Sequence, residues 1–115
     1  MPLYDWSQVE KEAMNPLVAR QVIHGKKLTV ARIFLNKGAV VPEHQHENEQ
    51  FSTLEQGRVR FTVAGEEMEL AAGQSMHLPP NVPHRVEALE DSVATDIFVP
   101  AREDWIRGDD AYLRR

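Results

Sequence analysis

Short β-prone runs recur along this chain about every ten residues, and turns that often contain glycine separate them. The run 58–63 alternates Val59, Phe61 and Val63 with polar residues, which is the period of a strand with one buried face. The other predicted strands are 18–23, 28–35, a segment rising from 40 into the histidines at 44 and 46, 51–54, 68–70, 75–78, 86–89 and 93–99. This spacing predicts an all-β sandwich or barrel.

Only the two ends of the chain are expected to contain helical segments, and the first of these could instead be an ordered arm. Residues 5–14 carry a possible helix cap at Ser7, and residues 103–107 read as a helical turn that Gly108 ends. A chain of 115 residues has the length of one domain. We therefore expect a single domain over residues 1–115, with its core over residues 28–100.

Composition narrows the classes of function. The chain has no cysteine, so thiolate metal sites, thiol nucleophiles and disulfides are excluded. Its net charge of −5 disfavours nucleic acid as the main partner, although a local metal and an arginine would still attract a small anion. The first residues do not resemble a signal peptide, and no run approaches the roughly 20 apolar residues of a membrane helix. We expect a cytoplasmic protein that does not contact membranes.

One cluster of metal-binding side chains is evident. His44 and His46 are one residue apart, so on a β-strand both imidazoles point to the same face. Gln50 and His84 offer an amide oxygen and a third imidazole. The four residues together predict a pocket for a divalent first-row metal.

Several polar residues near this cluster have more than one interpretation. Glu47 or Glu49 could replace the amide as the fourth ligand, although Glu49 has the wrong strand parity, and the histidines could instead form a hydrogen-bonded loop without a metal. His77 is interpreted as a pocket-lining or core residue, and His24 as a surface residue in a turn. Arg60 points either to solvent or into the barrel, and the sequence does not decide between them.

The spacing of these residues resembles the two sequence motifs of the cupin superfamily. Every interval of the first motif is kept by Gly38, His44, His46, Gln50 and Gly57, and the second motif is carried by Gly73, Pro79, Asn81 and His84. The resemblance covers residues 30–100 and implies a double-stranded β-helix, or jelly-roll, barrel. It also implies a homodimer, because small cupins usually pair through a sheet edge and an N-terminal strand.

Two positions depart from the cupin motifs. Asn81 replaces a glycine, which is a mild change because asparagine tolerates the left-handed backbone conformation. Gln50 stands where most cupins have glutamate, and a neutral amide leaves the charge of the metal uncompensated. We therefore expect Lewis-acid chemistry on an anionic substrate rather than oxygen chemistry. Nickel, zinc, iron or manganese would each fit such a donor set.

A narrower resemblance is to the KdgF-type pectin-degradation cupins. It rests on His-x-His-x-x-Glu-Gln at 44–50, Pro-Asn-x-Pro-His at 80–84 and residues 96–105. Those proteins open the ring of 4,5-unsaturated uronate monosaccharides to a linear keto form. The resemblance implies metal ligands at His44, His46, Gln50 and His84, and active-site residues at Asp96, Phe98 and Arg102.

The residues of the last strand allow a functional and a structural interpretation. Asp96 shares a strand face with Ala94 and Phe98. In the functional interpretation Asp96 is a general acid/base, Arg102 binds a substrate carboxylate with two hydrogen bonds, and Phe98 is an apolar wall. In the structural one they are a solvated aspartate, a surface arginine and a core phenylalanine. A dioxygenase acting on a small organic substrate, or a non-catalytic binding protein, would also fit the same fold.

Overall fold

The computed structural model describes residues 1–115 and contains ten strands, one short α-helix and two 3₁₀ turns. The strands are β1 (Glu12–Asn15), β2 (Val18–His24), β3 (Thr29–Leu35), β4 (Val40–His44), β5 (Glu49–Gln56), β6 (Arg58–Val63), β7 (Glu66–Ala71), β8 (Ser75–Leu78), β9 (His84–Ala88) and β10 (Ser92–Val99). Helix α1 spans Glu103–Ile106, and the 3₁₀ turns span Trp6–Gln8 and Ala111–Leu113. Each predicted strand is present, with its ends shifted by at most two residues.

Two antiparallel sheets form the all-β jelly roll that the sequence predicted. One sheet has six strands in the order β1-β2-β3-β10-β5-β8, and the other has four in the order β4-β9-β6-β7. Alternation decides which side chains face inward: in β10, Ala94, Asp96 and Phe98 are buried, whereas Ile97 and Val99 are exposed. Asp96 therefore faces the interior rather than solvent.

The hydrophobic core lies between the sheets and reaches both ends of the chain. Ile33 of β3 and Phe61 of β6 belong to one buried cluster that also contains Met14 near the start and Trp105 and Leu113 near the end. The core thus extends beyond residues 28–100. The reason is that β1 and β2 lengthen the larger sheet, while the segment after β10 packs against the barrel interior.

The helical segment at the N-terminus is shorter than the predicted range 5–14. Only Trp6–Gln8 forms a 3₁₀ turn, and Asp5 rather than Ser7 caps it, accepting the backbone N–H of Ser7 at 2.9 Å. Residues 12–15 instead pair with β2. The open edge of β2 offers hydrogen-bond partners to the backbone of these residues, whereas in a short helix the backbone could bond only to itself.

No helix in this chain has the length and apolar composition needed to traverse a bilayer.

Candidate metal centre and ligand pocket

Three histidines converge inside the barrel. His44 ends β4 and His84 begins β9, and the two are direct partners in the strand register. His46 lies beyond the end of β4, so strand alternation does not place it, yet its ring centroid is 5.0 Å from that of His84. One ring nitrogen of each histidine lies within 4.8 Å of the others, a spacing that suits a shared ion.

Asn81 supports the histidine that lies outside the strands. Its φ angle of 62° is the left-handed conformation expected at this motif position. Its backbone N–H donates to the carbonyl oxygen of His46 at 2.8 Å. The loop that leads into His84 therefore also holds the loop that carries His46.

A backbone carbonyl orients each of the three imidazoles. The Nδ1 atoms of His44, His46 and His84 lie 2.9, 3.0 and 2.9 Å from the carbonyl oxygens of Pro42, Asn48 and Val82, respectively. A hydrogen bond to a carbonyl assigns the ring proton to Nδ1. Each ring then has a free lone pair on Nε2, which is the arrangement that hydrogen-bonded carbonyl groups impose on metal-binding histidines.

Burial keeps these rings neutral. Burial, together with smaller effects of the neighbouring His84 and Arg102, lowers the pKa of His44 to about 3 and that of His46 to about 4. Burial also lowers the pKa of His84. A neutral imidazole is the form that coordinates metal, so the site is in its binding state at neutral pH.

Gln50 is placed where its amide oxygen could be a fourth ligand atom. Its Oε1 lies 3.0 Å from Nε2 of His46, while its Nε2 lies 3.4 Å from Oδ2 of Asp96. Because the one proton of His46 is on Nδ1, a lone pair of Nε2 faces a lone pair of Oε1 with no proton between them. Two acceptors at this distance repel each other unless a cation binds both. Three neutral imidazoles and an amide oxygen therefore fit a divalent transition metal.

Neither glutamate that was considered as an alternative ligand reaches this centre. Glu47 is exposed, and Glu49 points to the outer face of β5, where its Oε2 lies 2.7 Å from Nε2 of His77. His77 is also on the outer face, stacked on Phe51 with ring centroids 4.6 Å apart. Our interpretation of His77 as a pocket-lining or core residue is therefore wrong, because the inward positions of β8 belong to its neighbours.

Arg60, whose orientation the sequence left open, and His24 both lie outside the cavity. Arg60 is on the outer face of the smaller sheet, with Nη1 3.6 Å from Glu87 and Nη2 3.9 Å from Glu69. His24 is exposed at the end of β2, as expected, with Nδ1 2.9 Å from Oγ1 of Thr29. Neither residue can contribute to the metal centre.

The strand register brings Asp96 next to the candidate ligands. Asp96 of β10 is the direct partner of Ser52 of β5, whose hydroxyl donates to its carboxyl group. Burial raises the pKa of Asp96 to about 7, although the Ser52 hydrogen bond and Arg102 act in the opposite direction. A carboxyl group that titrates near neutral pH can both accept and donate a proton.

Arg102 is buried but already has a carboxylate partner. Its guanidinium lies over the rings of Phe98 and Trp105, and Asp104 accepts from Nε at 2.9 Å and from Nη2 at 2.8 Å. That edge therefore cannot also bind a substrate carboxylate with two hydrogen bonds, which is the role that the sequence predicted for Arg102. Nη1 is the guanidinium nitrogen that has no hydrogen-bond partner in the chain.

A cavity of about 60 Å³ adjoins these groups. Gln50, Asp96 and Arg102 contribute to its polar lining, together with Ser52 and Tyr112, and most of its other lining residues are apolar side chains from both sheets. A mostly apolar cavity with a few convergent polar groups is typical of small-molecule sites.

Comparison with known proteins identifies the family. The sequence matches the family model described as "Cupin domain" over residues 31–100, which is more than half of the chain. The chain belongs to the cupins. No curated protein matches its sequence.

Solved structures of other cupins superpose on this one. KdgF from Halomonas sp. has a TM-score of 0.84 at 28% identity, with 90% of this cupin and 99% of that chain covered. An RmlC-like cupin from Shewanella frigidimarina NCIMB 400 has a TM-score of 0.84 at 31% identity, with 89% and 93% covered. Oxalate decarboxylase from Bacillus subtilis has a TM-score of 0.76 at 17% identity over 29% of its own chain, a likeness of fold alone.

Three polar residues at the site of this cupin were not predicted from the sequence. Ser52 could have been found, because it follows Gln50 by two residues on the same face of β5. Asn48 is 3% exposed, and its side chain donates to the carbonyl of Pro100 at 2.6 Å, which ties the His46 loop to the segment before α1. No sequence pattern connects Tyr112 with this site, because only tertiary packing brings it there.

Proposed function

We propose that this cupin is a metal-dependent, lyase- or isomerase-type enzyme that opens the ring of 4,5-unsaturated uronate monosaccharides to the linear keto form. The observation that carries the proposal is the pair of acceptor atoms, Nε2 of His46 and Oε1 of Gln50, 3.0 Å apart with the carboxyl of Asp96 beside the amide. One cavity would thus combine a cation site with an acid/base group. Similarity to KdgF from Halomonas sp. over 90% of this chain supports the choice of substrate.

The neutral ligand set favours an anionic substrate. A divalent metal held by His44, His46, Gln50 and His84 would act as a Lewis acid on a substrate oxygen. Since none of the four ligands is charged, the full positive charge would be available to attract a carboxylate. Nickel, zinc, iron and manganese are all compatible with these donors.

Asp96 would move the protons of the reaction. Ring opening removes the proton of the C1 hydroxyl and breaks the bond between C1 and the ring oxygen, which leaves an aldehyde at C1 and an enolate at C5. Return of the same proton to C4 then converts the enolate to the C5 ketone. A carboxyl group with a pKa of about 7 suits both steps, first as base and then as acid. Arg102 would hold the substrate carboxylate through Nη1, and Phe98 would form the apolar wall beside it.

The proposal also includes the assembly and location of the protein. We expect a cytoplasmic homodimer that acts on a small molecule and does not bind nucleic acid, in keeping with the absence of cysteine and the net charge of −5.

A turnover assay tests the reaction. The protein is stripped of metal, reloaded with nickel, zinc, iron(II) or manganese, and mixed with 4,5-unsaturated galacturonate, whose ultraviolet absorbance disappears when the ring opens. We expect metal-dependent loss of absorbance that is slower by roughly 10²–10⁴ in Asp96→Asn. Arg102→Ala should also lose activity, whereas His77→Ala, outside the cavity, should keep it. No acceleration over the spontaneous reaction with any of the four metals would contradict the proposal, and oxygen uptake by the iron(II) form would favour a dioxygenase.

Metal binding is tested separately from turnover. An ion that binds only the folded state stabilises it, by about 4 kcal/mol at a concentration 1,000 times its Kd. Zinc should therefore raise the Tm of the metal-free protein, and a chelator should reverse the increase. His84→Ala should lose this response, while His24→Ala, which alters an exposed histidine, should retain it. An equal response in both variants would contradict a metal centre at the three histidines.

A further inference from the structure

Tyr112 is a polar group of the cavity that the proposed function does not use. The 3₁₀ turn Ala111–Leu113 presents it to the barrel, where its ring stacks on His44 with centroids 4.4 Å apart and planes inclined by 27°. The same side chain lines the cavity that contains Asp96 and Arg102. It is thus close to both the candidate metal ligands and the candidate acid/base.

The hydroxyl group of Tyr112 has a hydrogen that no residue of the chain accepts. Its oxygen receives hydrogen bonds from Nη2 of Arg102 at 2.8 Å and from Nε1 of Trp105 at 3.1 Å. Guanidinium and indole nitrogens can only donate, so these two bonds use the two lone pairs of the phenol oxygen. The O–H hydrogen of Tyr112 remains available as a donor.

The chain holds this tyrosine in position before any ligand arrives. Leu113, next to it, is buried in the core, and its carbonyl accepts a hydrogen bond from the side chain of Asn15 at 3.1 Å. On the other side, Asp110 is buried between Arg20 at 2.5 Å and Arg114 at 3.0 Å. A donor fixed in this way binds a ligand without the entropic cost of ordering its side chain.

We propose that Tyr112 is a ligand-contacting residue of this site, whose hydroxyl donates a hydrogen bond to an oxygen atom of the ligand held between the three histidines and Arg102. The inference rests on the proposed function for a ligand that is a carboxylate-bearing molecule. Such a ligand meets two donors, the Tyr112 hydroxyl and Nη1 of Arg102, and one group that exchanges protons, Asp96. A ligand that has no oxygen atom near the Tyr112 hydroxyl leaves this buried donor unpaired, so the site selects against such a ligand.

Carbon-13 NMR of the tyrosines tests the contact directly. The chain has two tyrosines, and Tyr4 is exposed, so protein labelled at tyrosine Cζ gives two signals that Tyr4→Phe assigns. The diamagnetic zinc form is titrated with galacturonate, which lacks the reactive double bond, and with oxalate as a smaller carboxylate, and calorimetry measures the binding of each. We expect the Tyr112 signal to shift on binding while the Tyr4 signal stays in place.

Removal of the hydroxyl measures its contribution. Tyr112→Phe keeps the ring that stacks on His44 and should weaken binding of the probe about tenfold, with zinc affinity unchanged. Tyr4→Phe is the matched control and should bind as the wild type does. Calorimetric binding with an unmoved Tyr112 signal, or binding of neither probe, would overturn the inference. A shifted Tyr112 signal without turnover of the unsaturated uronate would support the inference and contradict only the proposed function.

Discussion

The carboxyl of Asp96 gives the folded protein a dependence on pH. Its pKa is about 7 in the folded state against an ordinary value of 3.8, because burial disfavours the charged form. The folded state therefore binds this proton more tightly than the unfolded state does. The resulting stabilisation is complete below pH 3.8 and is lost as the pH rises through 7. Above that pH, the ionised carboxyl costs the metal-free protein on the order of 4 kcal/mol.

Replacing Asp96 with asparagine should remove this dependence. We expect the stability of Asp96→Asn relative to the wild type to be several kcal/mol more favourable at pH 8 than at pH 4. Urea unfolding of both metal-free proteins at the two pH values measures it. The lowered pKa values of His44 and His46 reduce the stability of both proteins in acid. This contribution cancels when the free energy of unfolding of the wild type is subtracted from that of the variant at each pH. A difference that does not change with pH would show that Asp96 titrates as an exposed aspartate does.

The site residues whose orientation could be predicted from the sequence are those that lie on a strand, where side chains alternate between the two faces. Alternation along β10 places Asp96 and Phe98 on one face, and the structure buries both. By contrast, the Asp104 carboxylate that holds Arg102, and the tyrosine that stacks on His44, follow from packing of the chain end against the barrel. The sequence contains no period that links those positions.

At the scale of elements, the turn between β5 and β6 depends on one glycine. Gly57 has a φ angle of 93°, and a Cβ atom there would collide with Oγ of Ser92 and the carbonyl oxygen of Asp91. Gly65 has a φ angle of 82° but open space around the same position. We expect Gly65→Ala to cost about 1–2 kcal/mol from the backbone conformation alone, and Gly57→Ala about 1–3 kcal/mol more from the collision. Equal losses in chemical denaturation would contradict the close packing of this turn.

The C-terminal segment is attached to the sheet by buried charge. The side chain of Asp110 is 3% exposed and pairs with Arg20, whose side chain is 7% exposed. Asp110→Asn should destabilise the protein by about 3 kcal/mol, because it leaves a buried guanidinium without its closest carboxylate. The neighbouring substitution Asp109→Asn changes an exposed pair with Arg107 and should cost less than about 1 kcal/mol. Thermal unfolding compares the two, and similar losses would mean that Asp110 contributes no more than a surface pair.

The strands were easier to predict than the first residues, for a physical reason. Alternating burial and turn glycines are encoded within a few residues, so segments such as 58–63 are found at their observed bounds. Residues 12–15 form a strand because the edge of β2 is available to them, which depends on a neighbour that a local pattern does not describe.

At the scale of the whole molecule, an apolar row crosses the outer face of the larger sheet. Phe51, Ile97 and Val99 are exposed by 48, 44 and 49%, and Phe51 is the direct partner of Ile97 in the register. Apolar side chains grouped in this way are typical of protein interfaces. We expect a homodimer that buries this face.

The dimer prediction is tested by light scattering after size-exclusion chromatography. Ile97→Lys should shift the protein to a monomer, because it places a charge in the middle of the row. Met68→Lys, an exposed apolar residue on the smaller sheet, is the control and should leave the mass unchanged. A wild-type monomer would contradict the prediction, and a dimer that persists in Ile97→Lys would favour pairing through the sheet edge instead.

The order of residues along the chain has a consequence for how an ion would enter. The four candidate ligands all lie between His44 and His84, whereas Tyr112, which stacks on His44 and lines the cavity, comes much later in the chain. A growing polypeptide leaves the ribosome from its N-terminus. The histidines are therefore made before the tyrosine that stacks on His44, so a nascent barrel would offer an ion a wider approach to this ring than the finished molecule does.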